Sequence, residues 1–399
     1  MKVSQRCSKL SPSLTLALTA KAKALRAEGI DVMSFGAGEP DFDTPDFVKQ
    51  VVVEDLKAGK TKYTAAKGGP EILEAVQFLL KRDYNLEYDV PELLVSVGGK
   101  HSLYNIFQAI VDPGDEVIIP SPFWLSYPDQ VKAADGEPVV VPCGPEQNFK
   151  ITPDQLAKAI TPKTAAFIFN SPNNPTGAVY TKAEILALAD VLKKHPHVVI
   201  VSDDLYMKLV YAPAEFHSIV SLAPELKERT IIVNGWSKAY AMTGWRLGWL
   251  AGPAPLVKAM TSLQSHSTSN VTTFIQRAAA VAAKSNEGFL HEWVKTFDER
   301  RKLLVDGLNA LPGVSCKPAP QGAFYAFPDI SGLYGKTFAG KKVTNSLEFA
   351  DVALEKARVS VVPGVAFGED RCVRLSYATS NQTIETGLQR LREFIEAAG

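Results

Sequence analysis

The sequence lacks a surplus of charge of either sign. Its 43 Lys and Arg residues balance 43 Asp and Glu residues, so the formal net charge at pH 7 is zero with histidine neutral. Proteins that coat nucleic acid or anionic membranes carry a large positive surplus. We therefore expect no nucleic acid and no membrane as partners, although local basic pockets are compatible with this balance.

Long apolar runs are also missing. No stretch approaches the ~18 consecutive apolar residues that a membrane span needs. The run Leu14–Ala20 superficially resembles a weak signal peptide, but polar residues within and before it dilute its hydrophobicity. We expect an N-terminal arm, then a helix through Lys21–Glu28 that stops at Gly29, in a cytoplasmic protein.

Cysteine and histidine are scarce and scattered. The four cysteines are far apart with no C-x-x-C pair, and the six histidines form no H-E-x-x-H pattern. Widely spaced thiols are typical of a reducing compartment rather than of disulfides or zinc ligands. We therefore expect free thiols and no metal site.

Composition and length predict a folded chain of more than one domain. The 399 residues are 46% hydrophobic and 22% charged, and about 150 residues per domain suggests two or three domains. Short apolar runs alternate with amphipathic segments, which is typical of a largely parallel sheet covered by helices on both faces. The predicted strands are Leu93–Val97, Glu116–Ile119, Pro138–Val141, Ala165–Asn170, Val198–Ser202 and Ile231–Asn234.

Helical patterns lie between and after these strands. The clearest, Lys182–Lys194, has its apolar residues on one face, Thr181 as N-cap and Glu184 at the third helical position. After about residue 285 the pattern changes to a smaller α+β unit. The other predicted elements are helices over His101–Val111, Phe289–Leu311 and Gln382–Ala398 and a surface loop over Phe338–Thr344.

Polar residues that could take part in binding or catalysis follow several of the strands. Gly98-Gly99-Lys100 joins a strand to a helix, where backbone N–H groups can receive an anion, although a plain tight turn fits equally well. Asp203 comes just past another strand, with Tyr206 three residues later; a strand-end aspartate can also be an ordinary loop cap.

Lys238 is the most informative of these residues. It comes directly after an apolar strand, and Arg246 lies eight residues further on. A lysine in a sheltered site has a depressed pKa and can attack a carbonyl as a neutral amine. The alternative is a solvated surface lysine, but the neighbours Trp236, Tyr240 and Met242 favour a pocket.

Six motifs follow one another in a characteristic order. They are Gly36-Ala37-Gly38-Glu39-Pro40-Asp41-Phe42-Asp43-Thr44-Pro45, Ser121-Pro122-Phe123-Trp124, Asn174-Pro175-Thr176-Gly177, Asp203-x-x-Tyr206, Ser237-Lys238-x-x-x-Met242-Thr243-Gly244-Trp245-Arg246-x-Gly248 and Val373-Arg374-Leu375-Ser376-Tyr377-Ala378. Over essentially the whole chain, the sequence resembles the pyridoxal-phosphate-dependent aminotransferases of class I, and most of all the aspartate aminotransferases of subgroup 1β.

The resemblance implies an α/β fold, the fold type I of pyridoxal-phosphate-dependent transferases. Its large domain, residues 46–288, would hold a mostly parallel seven-stranded sheet flanked by helices. A discontinuous small α+β domain would combine residues 1–45 and 289–399. The resemblance also implies cis peptide bonds at Ser121-Pro122 and Asn174-Pro175.

The cofactor implied by the resemblance is pyridoxal 5'-phosphate. Lys238 would form its internal aldimine and then shuttle the proton between the substrate Cα and the cofactor C4′. Asp203 would hold the pyridine nitrogen protonated, and Trp124 would stack on the ring. Tyr206 and Asn174 would donate hydrogen bonds to the ring 3-oxygen.

The phosphate site implied by the resemblance includes Gly99, Lys100 and Arg246, with Tyr63 reaching across from the other subunit of a homodimer. Gly235 stands where some relatives have a serine that contributes a phosphate hydrogen bond, so no side chain makes that contact here.

For the substrate, Arg374 would bind the α-carboxylate in a bidentate fashion, and Gly38 would add its backbone N–H. Some aspartate aminotransferases bind the distal carboxylate with an arginine of the partner subunit, but the segment around Gln264–Asn270 offers none. In subgroup 1β the lysine of the Gly-Gly-Lys turn takes this role, and Lys100 stands there. Trp124 and Asn174 would also contact the substrate.

These features predict an aspartate transaminase that transfers the amino group of L-aspartate to 2-oxoglutarate by a ping-pong mechanism. Prephenate is an alternative acceptor. Other functional hypotheses on the same scaffold are an aromatic or alanine aminotransferase, or a C–S or cyclopropane-forming lyase. A hypothesis outside the enzymes is a pyridoxal-phosphate-binding regulator without turnover, which the complete set Lys238, Asp203 and Arg374 disfavours.

Overall fold

A computed structural model describes residues 2–10 and 14–398. Its α-helices are α1 (Gln5–Ser8), α2 (Leu14–Ala27), α3 (Asp46–Lys57), α4 (Pro70–Leu79), α5 (Gly99–Ile110), α6 (Ser126–Ala133), α7 (Pro153–Ala159), α8 (Lys182–Lys193), α9 (Ile219–Leu222), α10 (Ala254–Ser265), α11 (Thr273–Ala283), α12 (Gly288–Asn309), α13 (Ser346–Val352) and α14 (Asn381–Glu396). Its β-strands are β1 (Met33–Ser34), β2 (Leu93–Ser96), β3 (Glu116–Ser121), β4 (Glu137–Pro142), β5 (Thr164–Asn170), β6 (Val199–Asp203), β7 (Thr230–Gly235), β8 (Gly248–Ala251), β9 (Tyr325–Ala326), β10 (Thr337–Phe338), β11 (Lys341–Lys342), β12 (Val359–Ser360), β13 (Val362–Pro363) and β14 (Val373–Ser376).

The central element is a seven-stranded sheet in the order β2-β8-β7-β6-β5-β3-β4. Neighbours from β7 through β4 run parallel, whereas β8 is antiparallel to both β2 and β7. The strands β2, β7 and β8 are buried along their whole length, and the edge strand β4 is largely solvent-accessible and carries two prolines. Proline is tolerated there because an edge strand has one row of unpaired backbone groups.

Helices cover both faces of this sheet. Successive side chains of a strand point to opposite faces, so Val117 and Ile119 pack with one set of helices and Ile118 with another. The first set is α5, α6 and α10, which contribute Phe107, Val131 and Met260 among others. The second set includes α4, α8 and α11. This two-sided cover explains why most of the strands read as continuous apolar runs.

The two ends of the chain meet beside the sheet's carboxyl edge. A three-stranded antiparallel sheet has the order β13-β14-β9, and β1 pairs in parallel with β12. Phe35, just after β1, accepts a backbone hydrogen bond from Ser376 at the end of β14 (2.8 Å). The loop Gly36–Glu39 is thereby held next to the strand that carries Arg374.

The six predicted strands are confirmed, with ends that differ by one or two residues. The structure adds β8, which the sequence analysis did not identify as a strand. The predicted helices are also confirmed with small shifts, and Thr181 and Glu184 form the predicted capping box at the start of α8. The helix predicted to cover Lys21–Glu28 begins seven residues earlier, at Leu14; residues 11–13 of the predicted N-terminal arm lie outside the described residues.

The prediction of a surface loop over Phe338–Thr344 is wrong. Strands β10 and β11 form a small antiparallel hairpin there. Its turn residues, Ala339 and Gly340, both have positive φ angles, which is the backbone conformation that tight two-residue hairpins require. The ring of Phe338 is buried against Phe349 and Phe394 and anchors the hairpin.

One of the two predicted cis bonds is confirmed and the other is wrong. Ser121-Pro122 is cis, whereas Asn174-Pro175 is trans and the cis bond lies at Ser171-Pro172. Beyond that bond, Asn173 holds the turn by accepting hydrogen bonds from the backbone N–H groups of Gly177 (2.9 Å) and Thr176 (3.1 Å).

Candidate active site

The central sheet brings three of the predicted segments together at one edge. Strands β5, β6 and β7 are parallel neighbours, and Asn170 at the end of β5 is the register partner of Asp203 at the end of β6. Lys238 follows the end of β7 by three residues. Open α/β sheets bind ligands beyond the carboxyl ends of their strands, so this edge is where a site is expected.

A cavity of about 530 Å³ opens at this edge. This size lies within the range of small-molecule sites, roughly 300–1,000 Å³. Ten of the eleven predicted site residues line it: Gly38, Gly99, Lys100, Trp124, Asn174, Asp203, Tyr206, Lys238, Arg246 and Arg374. The eleventh, Tyr63, lies elsewhere, with 90% of its surface exposed on this single chain.

Lys238 lies at the centre of this cavity. Its Nζ donates a hydrogen bond to the backbone oxygen of Gly38. Burial lowers the pKa of Lys238 to about 8, and the positive charge of Arg374 acts in the same direction. A substantial fraction of the amine is therefore neutral near pH 8, and a neutral amine is the form that attacks a carbonyl carbon.

Asp203 is a buried carboxylate with fixed orientation. Its Oδ2 accepts a hydrogen bond from the hydroxyl of Tyr127 (2.6 Å), and its Oδ1 accepts one from the backbone N–H of Leu205 (3.3 Å). Burial raises the pKa of Asp203, while the hydrogen bonds from Tyr127 and Leu205 and the charge of Lys238 oppose that rise. Such a group is suited to hold a cationic N–H of a ligand.

Asn170 fixes the loops on either side of it. Its amide nitrogen donates to the backbone oxygen of Asp203 (2.8 Å), and its amide oxygen accepts from the backbone N–H of Asn174 (3.1 Å). The side chain at the end of β5 thereby sets the position of two cavity residues.

Arg374 is a buried cation whose donors are only partly used. One of its terminal nitrogens donates to the side-chain oxygen of Asn174 (2.9 Å), and the other donates to the backbone oxygen of Gly36 (3.1 Å). Its Nε has no hydrogen-bond partner among the described residues. Because a buried guanidinium with unused donors is costly, this geometry is suited to an anionic ligand such as a carboxylate.

A second cationic corner lies at the start of α5. Arg246 donates to the backbone oxygens of Thr243 (2.9 Å) and Val97 (3.3 Å), which brings its guanidinium against Gly98. Gly98 has a φ of +85°, and a Cβ on it would lie 2.6 Å from Arg246 Nη2, so only glycine fits. The helix N-terminus and the arginine together can receive a phosphate.

Lys100 is the next residue of this corner. Its Nζ lies 4.9 Å from the centre of the Trp124 ring. Partial burial lowers the pKa of Lys100, and the charge of Arg246 acts in the same direction. An anion bound next to Lys100 would stabilise its protonated, positively charged form.

These residues fit pyridoxal 5'-phosphate. The cavity offers a partner for the phosphate, for the pyridinium N–H and for the aldehyde of that molecule. These partners are, in the same order, the corner at Gly99 and Arg246, the buried carboxylate of Asp203 and the sheltered amine of Lys238. Arg374, a buried cation that lines the cavity, remains for a substrate carboxylate. In the described part of the chain, no three His, Cys, Asp or Glu side chains cluster as a metal site would need.

Two tyrosines of the cavity wall, Tyr127 and Tyr325, were not among the predicted site residues. Tyr127 comes three residues after Trp124 and its ring packs against the Trp124 ring, with centroids 5.4 Å apart, so its closeness in sequence could have pointed to it. Tyr325 lies 119 residues beyond Tyr206, to which its hydroxyl is hydrogen-bonded, and the apolar segment around it carries no local signal of a site. Lys23 and Arg26 of α2 also line the cavity without having been predicted.

With this fold and site, the chain can be compared with known proteins. The family model described as aminotransferase class I and II matches residues 30–391. The chain belongs to this family, and the predicted resemblance to class I aminotransferases, the fold class and the enzyme class are confirmed; the predicted subgroup 1β stays a prediction.

The similar proteins are full-length matches. The chain is 48% identical over 398 residues to the aspartate aminotransferase of Geobacillus stearothermophilus, covering 100% of both sequences. It is 48% identical over 393 residues to the aspartate/prephenate aminotransferase of Cereibacter sphaeroides, covering 98% of both.

Solved structures agree with these sequence matches. The aspartate aminotransferase from Rhizobium meliloti superimposes with a TM-score of 0.97 at 43% identity, covering 100% of both chains. The Thermus thermophilus aspartate aminotransferase with maleate gives a TM-score of 0.92 at 41% identity, covering 99% of this chain and 100% of that one. In the described part of this chain, no helix combines the length and the apolar character needed to cross a membrane.

Proposed function

We propose that this protein is an aspartate transaminase that uses pyridoxal 5'-phosphate and converts L-aspartate and 2-oxoglutarate into oxaloacetate and L-glutamate. The observation that carries the proposal is the convergence of Lys238, Asp203 and Arg374 on one cavity. The names of the similar proteins support the choice of aspartate.

The residues of the cavity divide into those that hold the cofactor and those that hold the substrate. Gly99 and Lys100 would bind the phosphate through their backbone N–H groups at the start of α5, together with the guanidinium of Arg246. Asp203 would bind the pyridinium N–H, and Tyr206 and Asn174 would donate to the ring 3-oxygen. Trp124 covers the ring. When bound, the cofactor supplies an aldehyde carbon and an electron-withdrawing ring that takes up the electron pair left by the substrate Cα proton.

Lys238 has two tasks in this scheme. Its neutral Nζ would hold the cofactor in the resting enzyme, and the same Nζ, when free, would take the proton from the substrate Cα. Burial and the charge of Arg374, which lower its pKa to about 8, favour both tasks because each requires an unprotonated amine.

Two cations select the substrate. Arg374 binds the α-carboxylate through its unused donors, together with the backbone N–H of Gly38. Lys100 binds the distal carboxylate, which distinguishes aspartate from neutral amino acids. The relative from Thermus thermophilus was solved with maleate, a molecule with two carboxylates, and this supports a site for a dicarboxylic substrate.

Prephenate is a second acceptor that we propose to test. The relative from Cereibacter sphaeroides is named for aspartate and prephenate. Prephenate carries a 2-oxo-carboxylate and a second carboxylate, which are the groups that Arg374 and Lys100 would bind.

We also propose a homodimer in which Tyr63 of each subunit completes the phosphate site of the other. The 90% exposure of Tyr63 on the single chain supports a role at an interface. The proposed large domain comprises residues 46–288, which include the whole seven-stranded sheet, and the small domain combines residues 1–45 and 289–399. Four free cysteines support a cytoplasmic location, where thiols stay reduced.

An absorbance titration of the purified, cofactor-loaded protein tests the function. We expect L-aspartate to convert the aldehyde form of the cofactor to the amine form, and 2-oxoglutarate to restore it. Prephenate added in place of 2-oxoglutarate tests the second acceptor. If no amino acid changed the spectrum of the loaded protein, the transaminase proposal would be refuted.

The Lys100→Met variant tests aspartate selectivity. Because a hydrogen bond to a charged group contributes about 1.5–3 kcal/mol, we expect kcat/KM for aspartate to fall roughly 10- to 100-fold. With alanine as amino donor the change should stay below about 3-fold, since alanine has no distal carboxylate. Steady-state kinetics with both donors measures the difference.

A suitable control for Lys100→Met is Lys132→Met, which changes a lysine of α6 that lies outside the cavity. The control should leave both donors unaffected. Equal losses with aspartate and alanine in Lys100→Met would remove Lys100 from the recognition of the distal carboxylate and leave it only a role at the phosphate.

A further inference from the structure

Two tyrosine hydroxyls meet inside the cavity wall. The hydroxyl oxygens of Tyr206 and Tyr325 lie 2.9 Å apart, and their rings cross edge to face with centroids 5.8 Å apart. Tyr325 is fully buried and Tyr206 is 4% exposed, so bulk water does not compete for this hydrogen bond. Tyr206 comes from the loop after β6, and Tyr325 comes from β9 near the other end of the chain.

Tyr325 also contacts the arginine that we assign to the substrate carboxylate. The guanidinium of Arg374 lies 4.4 Å from the centre of the Tyr325 ring, within the distance at which a cation and an aromatic face attract each other. The Tyr325 hydroxyl lies next to Gly38, since a Cβ built on that glycine would be 3.5 Å from it. Tyr325 is therefore in contact with residues of both the cofactor site and the substrate site.

We propose that Tyr325 is a positioning residue. Its O–H donates a hydrogen bond to the hydroxyl oxygen of Tyr206, so the single O–H of Tyr206 stays available to donate to the 3-oxygen of the cofactor. This inference rests on the proposed use of pyridoxal 5'-phosphate and extends it to a residue outside the predicted set.

The direction of the hydrogen bond follows from counting protons. Each phenol has one O–H to donate, and the only hydrogen bond of the Tyr325 hydroxyl among the described residues is the one to Tyr206. If Tyr206 donates to the cofactor, Tyr325 must donate to Tyr206. A hydroxyl that accepts one hydrogen bond becomes a stronger donor of the next, because successive bonds in a chain polarise one another.

The charges around the two phenols favour this direction. Burial raises the pKa of both hydroxyls, and the positive charge of Arg374 opposes the rise for both. The guanidinium of Arg374 lies over the ring of Tyr325, 4.4 Å from its centre, so this cation favours Tyr325 as the donor of the shared hydrogen bond. The charged groups facing this pair and Lys238 are Arg374, Arg246, Asp203 and Glu39.

The Tyr325→Phe variant tests the proposal, with a pH titration of the absorbance of the bound cofactor as readout. The titration gives the pKa of the Lys238–cofactor linkage, which a hydrogen bond to the 3-oxygen lowers. Without the Tyr325 hydroxyl, Tyr206 donates more weakly, so we expect this pKa to rise by about 0.5. Binding of succinate, a non-reactive dicarboxylate, should change less than about 3-fold because the ring that faces Arg374 is retained.

Two further variants separate positioning from a general structural role. Site-specific 3-fluorotyrosine at position 325 keeps the phenol and makes it more acidic, so the linkage pKa should fall; this arm remains informative even if Tyr325→Phe folds poorly. Tyr211→Phe removes another buried hydroxyl, which donates to the backbone oxygen of Ala323, and should leave the linkage pKa unchanged.

A double-mutant comparison completes the test. If Tyr325 acts through Tyr206, adding Tyr325→Phe to Tyr206→Phe should shift the linkage pKa no further. An unchanged pKa in Tyr325→Phe, a rise with 3-fluorotyrosine, or shifts that add in the double variant would each overturn the proposal. These readouts require bound cofactor but no turnover, so a lack of activity with aspartate would refute the proposed function without deciding this inference.

Discussion

Replacing Lys238 with alanine is expected to lower kcat with aspartate by about 10⁴-fold or more, because in the proposed scheme one amine both binds the cofactor and moves the Cα proton. The residues proposed to hold the phosphate, the pyridinium and the ring 3-oxygen remain in this variant. It should therefore still bind pyridoxal 5'-phosphate non-covalently, with an altered absorbance spectrum. Single-turnover absorbance measurements with aspartate separate the loss of proton transfer from any loss of binding.

Added amines provide a sharper test of the role of Lys238. A small primary amine can enter the space left by the side chain and should restore part of the rate. The restored rate should follow the concentration of the free base, since only an unprotonated amine takes up a proton. As a control, Lys258→Ala changes an exposed lysine of α10 and should leave kcat unaffected. Turnover within 10-fold of the unmodified protein in Lys238→Ala would contradict the whole scheme.

Most of the central fold could be predicted because local pattern and global environment agree there. The strands β3, β5, β6 and β7 are apolar runs buried between two helical layers, so hydrophobicity alone marks them. Strand β8 was missed because it begins at Gly248, the last residue of the motif around Lys238, and is only four residues long. The hairpin β10–β11 was missed because its turn depends on the positive φ angles of Ala339 and Gly340, and alanine carries no sequence signal for that conformation.

The candidate site could be predicted where its residues stand at strand ends and in ordered motifs. Asp203 is the last residue of the buried strand β6, Lys238 follows β7 by three residues, and Arg374 lies within a recognisable segment. Contacts across the chain could not be predicted in this way. The bonds from Tyr127 to Asp203 and between Tyr206 and Tyr325 join residues 76 and 119 positions apart, and only the folded chain brings these residues together.

The Asp203→Asn variant is expected to have the second-largest effect. It preserves the shape of the side chain and an oxygen that can still accept the hydrogen bond from Tyr127, but it removes the negative charge. Breaking one partner of a buried charged pair costs ~3–5 kcal/mol, and the loss of that much transition-state stabilisation would correspond to roughly 10²- to 5 × 10³-fold in kcat. Stopped-flow absorbance with aspartate measures the rate, and equilibrium dialysis measures the accompanying loss of cofactor affinity.

The neighbouring carboxyl provides a matched control for this variant. Asp204 is 1% exposed, lies outside the cavity and accepts a hydrogen bond from Ser202 (2.7 Å). Burial raises the pKa of Asp204 to about 7, so its surroundings favour the neutral form, which asparagine resembles. Asp204→Asn should therefore keep kcat within about 3-fold, because this carboxyl lies away from the cofactor. If both variants lost activity equally, the effect of Asp203→Asn would reflect damage to the end of β6 rather than the loss of a charge facing the pyridinium.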